Sequence, residues 1–144
     1  MNHLTQLIDY GIIGILGLMS VAAVAVSIER FRFFAGIRPE DYKTVQEYEA
    51  VLTRRLYIVA TIGSNAPYVG LLGTVLGIMQ TFYAMGLTGS ADVTAIMTGL
   101  ALALKATAAG LLTAIPAIVL YNMLHRKVNE LILMKEASLA GEKL

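Results

Sequence analysis

Asn65-Ala-Pro-Tyr-Val-Gly-Leu-Leu-Gly-Thr-Val-Leu-Gly-Ile-Met-Gln-Thr-Phe82 lies within a run, Leu56 to Ala91, that holds no Asp, Glu, Lys or Arg. A run well beyond the roughly 20 apolar residues that cross a bilayer reads as a membrane span. This one carries Gly70, Gly73 and Gly77, with hydroxyls at Thr74 and Thr81. Gly73 and Gly77 form a small-xxx-small pair, which lets a second backbone come close. Thr74 and Thr81 are seven apart and share nearly one helical face, with Gly70 and Gly77 beside them. The spacing predicts a span whose small and polar side is turned to protein rather than to lipid.

Outward from that stretch, the rest of the chain is membrane-like. Of its 144 residues 57% are hydrophobic and 15% charged, against about 25% charged in soluble domains. Mean hydropathy is +0.69. The expected fold is an all-α membrane protein with three transmembrane helices, the second and third long and extending into the cytoplasm. The whole chain reads as one membrane domain. Its first span is about residues 10–28, then a connector 29–55, a second span about 56–85, a turn 86–92, a third span about 93–124, and a tail 125–144. Residues 1–9 contain no Lys or Arg, and Glu29-Arg-Phe-Arg-Phe-Phe34 follows the first run. That is the reverse of a cleaved secretory signal, so an uncleaved first helix is expected. Asp9 reads as a cap or interfacial charge at its start.

In the connector, Pro39-Glu-Asp41 suits a first helical turn. Val45, Tyr48, Leu52 and Leu56 follow at spacings of three and four, predicting an amphipathic helix that feeds the second span through Arg54 and Arg55. Beyond the third span, Leu124, Val128, Leu131, Ile132 and Leu139 continue a helical stripe, so that helix is expected to project into water. The connector carries Arg30, Arg32, Arg38, Lys43, Arg54 and Arg55, the tail four more basic residues, and the N-terminus and second turn none. Positive-inside counting puts connector and tail in the cytoplasm, with the N-terminus and the 86–92 turn outside.

The third span repeats the small-residue theme at Gly99, Ala103, Ala106, Gly110 and Ala114, with Thr107 among them. Pro116 is expected to kink it. Lys105 stands inside it, where a charge costs roughly 2.5–3.5 kcal/mol on insertion scales, and is expected to meet a protein partner or a watery cavity. A shallower placement, with the amine reaching for the surface, is the alternative. Lys105 and Thr107 are two apart and point to different neighbours. Threonines in such spans commonly bond their own i−4 carbonyl or join helices. All ten acids lie outside the second and third spans. Proton paths through membranes run over Asp, Glu or His side chains, so either no proton moves or another polypeptide brings the carboxylate. There is no phosphate loop, no cysteine chemistry and no grouping of the two histidines into a metal site. No enzyme activity, cofactor, metal or nucleic-acid partner is expected.

Ala66–Phe82 and Leu104-Lys-Ala-Thr-Ala-Ala-Gly-Leu-Leu-Thr-Ala-Ile-Pro-Ala-Ile-Val-Leu-Tyr-Asn122 together resemble the ExbB/TolQ/MotA family of motor and proton-channel proteins, closest to a short ExbB. Both motifs are long, and they cover the two inner spans in the family's order. The resemblance implies a homo-oligomer, a pentamer, in a bacterial inner membrane, with the second and third helices lining a central pore. It implies an ExbD-like single-span partner whose membrane Asp sits in that pore, near the family threonines that Thr74 and Thr107 match. Thr81 and Lys105 join them as pore-lining candidates. Gly70, Gly73, Gly77, Gly99, Ala103, Gly110 and Pro116 are the helix-packing candidates. The proton-motive force would drive the partner, and a TonB-like protein would carry the work to outer-membrane transporters. Two departures stand out: the family's usual glutamate five residues before the third-helix threonine is Leu102 here, with Lys105 one turn on, and the connector is short. A TolQ-like envelope role, a non-conducting helical scaffold and a small independent transporter are the other readings.

Overall fold

The computed structural model describes the backbone of residues 2–89 and 92–141, and the side chains within it apart from those of residues 2–6, 9 and 88. The expectation for Asp9 therefore lies outside the described side chains. Among the described residues the chain is all helical: α1 (Asn2–Gly36), a single 3₁₀ turn (Pro39–Asp41), α2 (Val45–Thr53), α3 (Leu56–Thr88) and α4 (Val93–Gly141). Three of these helices are long and apolar enough to cross a membrane. At helical rise the 49 residues of α4 extend about 73 Å, more than twice a hydrocarbon core of about 30 Å.

The α3–α4 pair is the spine, and α1 lies along both of its members. Three buried tiers follow α1 from its start to its end. Ile12 and Leu16 pack with Ala66 and Ala114. Ala23 packs with Val59, Ile62 and Ala117. Phe34 then joins Tyr48, Leu52, Leu56, Leu124 and Val128. The first two tiers mix alanines with aliphatic side chains, whereas the third holds no alanine and adds two aromatic rings. Apolar faces outside the tiers remain open, with Leu18, Tyr68, Leu112 and Met97 all exposed, as spans long and apolar enough for a bilayer allow.

The connector differs from its expected form. Pro39–Asp41 makes one 3₁₀ turn, closed by the Tyr42 N–H on the Pro39 carbonyl at 3.4 Å. The α-helix starts only at Val45, because Thr44 caps it: its Oγ1 accepts the Glu47 N–H at 3.1 Å, and the Glu47 carboxylate accepts the Lys43 N–H at 3.2 Å. The first bond satisfies an amide that the helix start leaves unpaired, and the second ties the residue before the cap to the first turn. Nor does the connector run straight into the second span. Arg55 sits in the left-handed region (φ 67), rare for a residue with a side chain, and turns the chain between α2 and α3. Its guanidinium is tied to Glu29 at 2.7 Å, while the next residue, Leu56, is buried.

The stripe beyond Leu124 is covered rather than open to water. Leu124 and Val128 are fully buried against α2 and the end of α1, with Leu131 and Ile132 packed on the same cluster. The connector folds back over the extension of α4, because Tyr48 and Leu52 need that stripe as much as the stripe needs them. α3 ends at a glycine. Gly89 adopts φ 65 and its N–H bonds the Met85 carbonyl at 3.1 Å, a glycine helix stop. Asp92 then caps α4 by accepting the Thr94 N–H at 2.9 Å. Pro116 sits within α4 without ending it.

Candidate functional site: a hydroxyl pair in the α3–α4 seam

Close approach of α3 and α4 is imposed by glycine. A Cβ built on Gly70 would stand 2.6 Å from the Ala106 carbonyl oxygen and 3.0 Å from the Gly110 Cα. One built on Gly110 would stand 2.8 Å from the Ala66 carbonyl oxygen. These are backbone atoms, which cannot step aside. Gly73 faces Ala106 and Ile12, Gly77 faces Ala103, Gly63 faces Ile118, and Gly99 lies under the Thr81 side chain. The small faces predicted on the two spans therefore meet each other within one chain, each glycine set against the facing helix. Two stripes on adjacent, antiparallel segments joined by a short turn satisfy one another first.

Where the backbones are this close, Thr74 and Thr107 come together. Their hydroxyl oxygens are 2.6 Å apart, and the Thr74 oxygen is 3.0 Å from the Ala103 carbonyl and 3.4 Å from that of Gly70. Thr74 is only 7% exposed, whereas Thr107 is half-buried. Each hydroxyl owns one proton. With the Thr74 proton on the Ala103 carbonyl, the Thr107 proton points to Thr74, and the Thr107 oxygen keeps a free lone pair toward its exposed side. The pair then offers an acceptor to an incoming O–H, such as a neutral carboxylic acid. If Thr74 instead turns its proton to Thr107, the Thr107 proton is free to point outward and the same atom becomes a donor to a carboxylate. One site thus accommodates both protonation states of an acid while no group of its own takes up charge. The chain of bonds ends on the backbone carbonyl of Ala103.

Thr81, the third hydroxyl expected here, is turned to its own helix and donates to the Gly77 carbonyl at 2.9 Å, two turns from the pair. Ala103 contributes its carbonyl to Thr74 as well as its packing. Lys105 is exposed on α4, as is Leu102 one turn before it. The structure does not bring Lys105 to the hydroxyl pair, and no hydrogen bond or ion pair joins it to another described residue.

Sequence reading passed over a second polar feature. Lys135, in the last turns of α4, is 4% exposed. Its ammonium donates to the Pro39 carbonyl at 2.6 Å and the Tyr42 carbonyl at 2.7 Å, and lies 5.5 Å from the Tyr48 ring centre. A lysine at one position of an otherwise apolar helical stripe was the available signal. Arg30 is buried likewise, against the Phe33 ring at 4.6 Å and Glu29 at 3.2 Å. Burial, and secondarily the neighbouring Tyr42, pushes the Tyr48 hydroxyl above its ordinary pKa. No group of three or more potential metal ligands is found among the described residues.

Fold and seam together define a polytopic helical membrane protein whose two inner spans are clasped at glycines around a hydroxyl pair. Compared with known proteins, the chain belongs to the MotA/TolQ/ExbB proton channel family, whose model matches residues 36–137. It is 56% identical over 137 residues to a protein of Aquifex aeolicus named biopolymer transport protein ExbB, covering 95% of this chain and 93% of that one. It is 59% identical over 122 residues to the putative biopolymer transport protein ExbB-like 2 of Helicobacter pylori, covering 85% and 81%. The protein of Salmonella typhimurium named biopolymer transport protein ExbB matches over 70 residues at 47% identity, which is 49% of this chain and 29% of that one.

Proposed function

We propose that this chain is the proton-channel subunit of an ExbB–ExbD-type complex that uses the proton-motive force for biopolymer transport. The observation that carries the reading is the Thr74–Thr107 pair, with its acceptor end half-open in a pair of spans that contain no acid. A second polypeptide, a single-span partner, brings the carboxylate, and Thr107 reads its protonation from one side. The chain assembles as a homopentamer in the bacterial inner membrane, with α3 and α4 toward the axis, the N-terminus periplasmic, and the connector and tail cytoplasmic. The excess of Lys and Arg in the connector and tail supports that orientation. A TonB-like protein passes the work to outer-membrane transporters. The ExbB names of the relatives favour this branch over a TolQ-like envelope role. Lys105, exposed at the depth of the hydroxyl pair, is assigned a partner acid or carbonyl in a neighbouring chain.

The test is uptake of an iron complex in cells that co-express an ExbD-like partner, with and without an uncoupler. Thr107→Val and Thr74→Val are expected to abolish uncoupler-sensitive uptake, and Thr107→Ser to retain it. Full uptake in both valine variants would leave the scaffold reading in its place. Lys105→Met is expected to impair uptake or assembly. Behaviour like the wild type would make Lys105 a lipid-boundary residue.

A further inference from the structure

The end of α1 carries a cleft that the proton-channel reading does not use. It encloses about 320 Å³ and is lined by Arg32, Phe33, Gly36, Ile37, Arg38, Asp41 and Tyr42. We propose that it binds the headgroup of an anionic phospholipid, with phosphatidylglycerol as the best fit.

Depth is the first argument. The uncharged part of α1, Tyr10 to Ile28, comprises 19 residues and spans about 28 Å, close to a hydrocarbon core of about 30 Å. Arg32 lies four residues further on, about 6 Å along the same helix. That is headgroup level, since the polar layers add roughly 5–8 Å on each side. Charge is the second. Of the connector's arginines, Arg30 is buried against Glu29 and Phe33, and Arg55 is bonded to Glu29. Arg32 and Arg38 are different: both line the cleft, both are exposed, and neither guanidinium enters an ion pair or hydrogen bond with the described residues. Two guanidiniums without partners in one recess suit a phosphodiester, which accepts paired N–H bonds.

Shape and the one acid narrow the ligand. A Cβ on Gly36 would meet nothing within 4 Å, so the floor beside Phe33 and Ile37 is open to the glycerol backbone and first methylenes of a lipid. Asp41 shares the cleft, giving it a net charge of +1 from two arginines and one carboxylate. A phosphodiester with one negative charge balances that sum. The hydroxyls of a glycerol headgroup can donate to the Asp41 carboxylate, whereas a free phosphate dianion carries one negative charge more than the cleft balances and is repelled by Asp41.

The experiment uses the assembled, delipidated full-length protein in neutral detergent, with bound lipid counted by native mass spectrometry and thermal stability followed in parallel. Phosphatidylglycerol is expected to bind and to raise the melting temperature by several degrees. Arg32→Gln and Arg38→Gln should each weaken that binding by about tenfold, the effect of losing one charge-assisted bond. Gly36→Leu should block the cleft without altering charge. Arg54→Gln removes the same charge outside the cleft and should bind as the wild type does. Equal losses in the Arg54 variant would reduce the effect to general surface attraction and overturn the site. So would undiminished binding after Gly36→Leu, equal retention of phosphatidylethanolamine, or full competition by soluble glycerol phosphate. Uptake activity is not the readout, so the outcome is independent of the proton-channel reading.

Discussion

The α3–α4 seam and the connector core are both tightly closed, yet they close by opposite means. In the seam, glycines at 70 and 110 bring backbones together, and the polar groups between them are hydroxyls bonded to carbonyls or to each other. In the connector core, Tyr48, Leu52, Phe34 and Leu124 fill the space with bulk, and the polar group is a whole charge, Lys135, held by two carbonyls. The difference follows from the surroundings. Within lipid there is no hydrophobic gain from leaving water, so close van der Waals contact and internal hydrogen bonds must hold helices together. Near water, burying Tyr and Leu is favourable in itself, at roughly 1.5–3 kcal/mol per large side chain. The seam is therefore intolerant of added volume, and the core of lost volume or lost charge.

The sharpest break in that comparison is at Gly70. Gly70→Leu drives a side chain into the backbone of α4 and should prevent recovery of folded, assembled protein, at a cost of 3 kcal/mol or more on the scale of overpacking, about 1–3 kcal/mol and at times higher. Gly14→Leu, where a Cβ meets nothing within 4 Å, should be recovered at the wild-type level. Yield and melting temperature in detergent measure both. Next is Lys135→Met, which keeps the stem but removes the donor from two carbonyls, leaving Pro39 only its 3.4 Å bond from the Tyr42 N–H. It should cost about 2 kcal/mol, in the range for hydrogen bonds from a charged group. Faster hydrogen exchange in residues 39–53, with the seam unaffected, is the expected signature. Thr44→Ala removes the α2 cap and should cost about 1 kcal/mol, again confined to the connector.

The smallest effect concerns Tyr48, whose hydroxyl is buried without a partner in the structure. Tyr48→Phe should be neutral or stabilising by up to about 1 kcal/mol, because an unsatisfied buried group is removed. Because burial raises the folded-state pKa of this hydroxyl, its contribution to stability is complete below the unfolded value of about 10 and is lost as pH rises through the folded value. Melting curves between neutral and strongly alkaline pH should fall for the wild type at a point where Tyr48→Phe stays flatter. An identical decline in both would separate Tyr48 from the alkaline transition.

Much of the membrane architecture was readable residue by residue. Long charge-free runs have only one stable solution in lipid, the helix, so the three spans required no knowledge of contacts. Thr74 and Thr107 were singled out by their place in two motifs, and their 2.6 Å meeting was not deducible from spacing on separate helices. The connector was harder. Its continuous helix from Pro39 failed at Thr44, although Thr44-Val-Gln-Glu47 carried the capping pattern, because the period of apolar residues outweighed the cap in the reading.

Composition and periodicity determined by themselves that this protein is a bundle of spanning helices with small, polar stripes and no acid in its two inner spans. They did so because lipid penalises every alternative locally, one residue at a time. Only the tertiary structure decided that the stripes clasp each other, that the tail of α4 is covered by α2, and that Lys135 replaces water with the carbonyls of Pro39 and Tyr42. Those outcomes depend on which distant segment reaches a surface first and fits it, and no single stretch of chain holds that information.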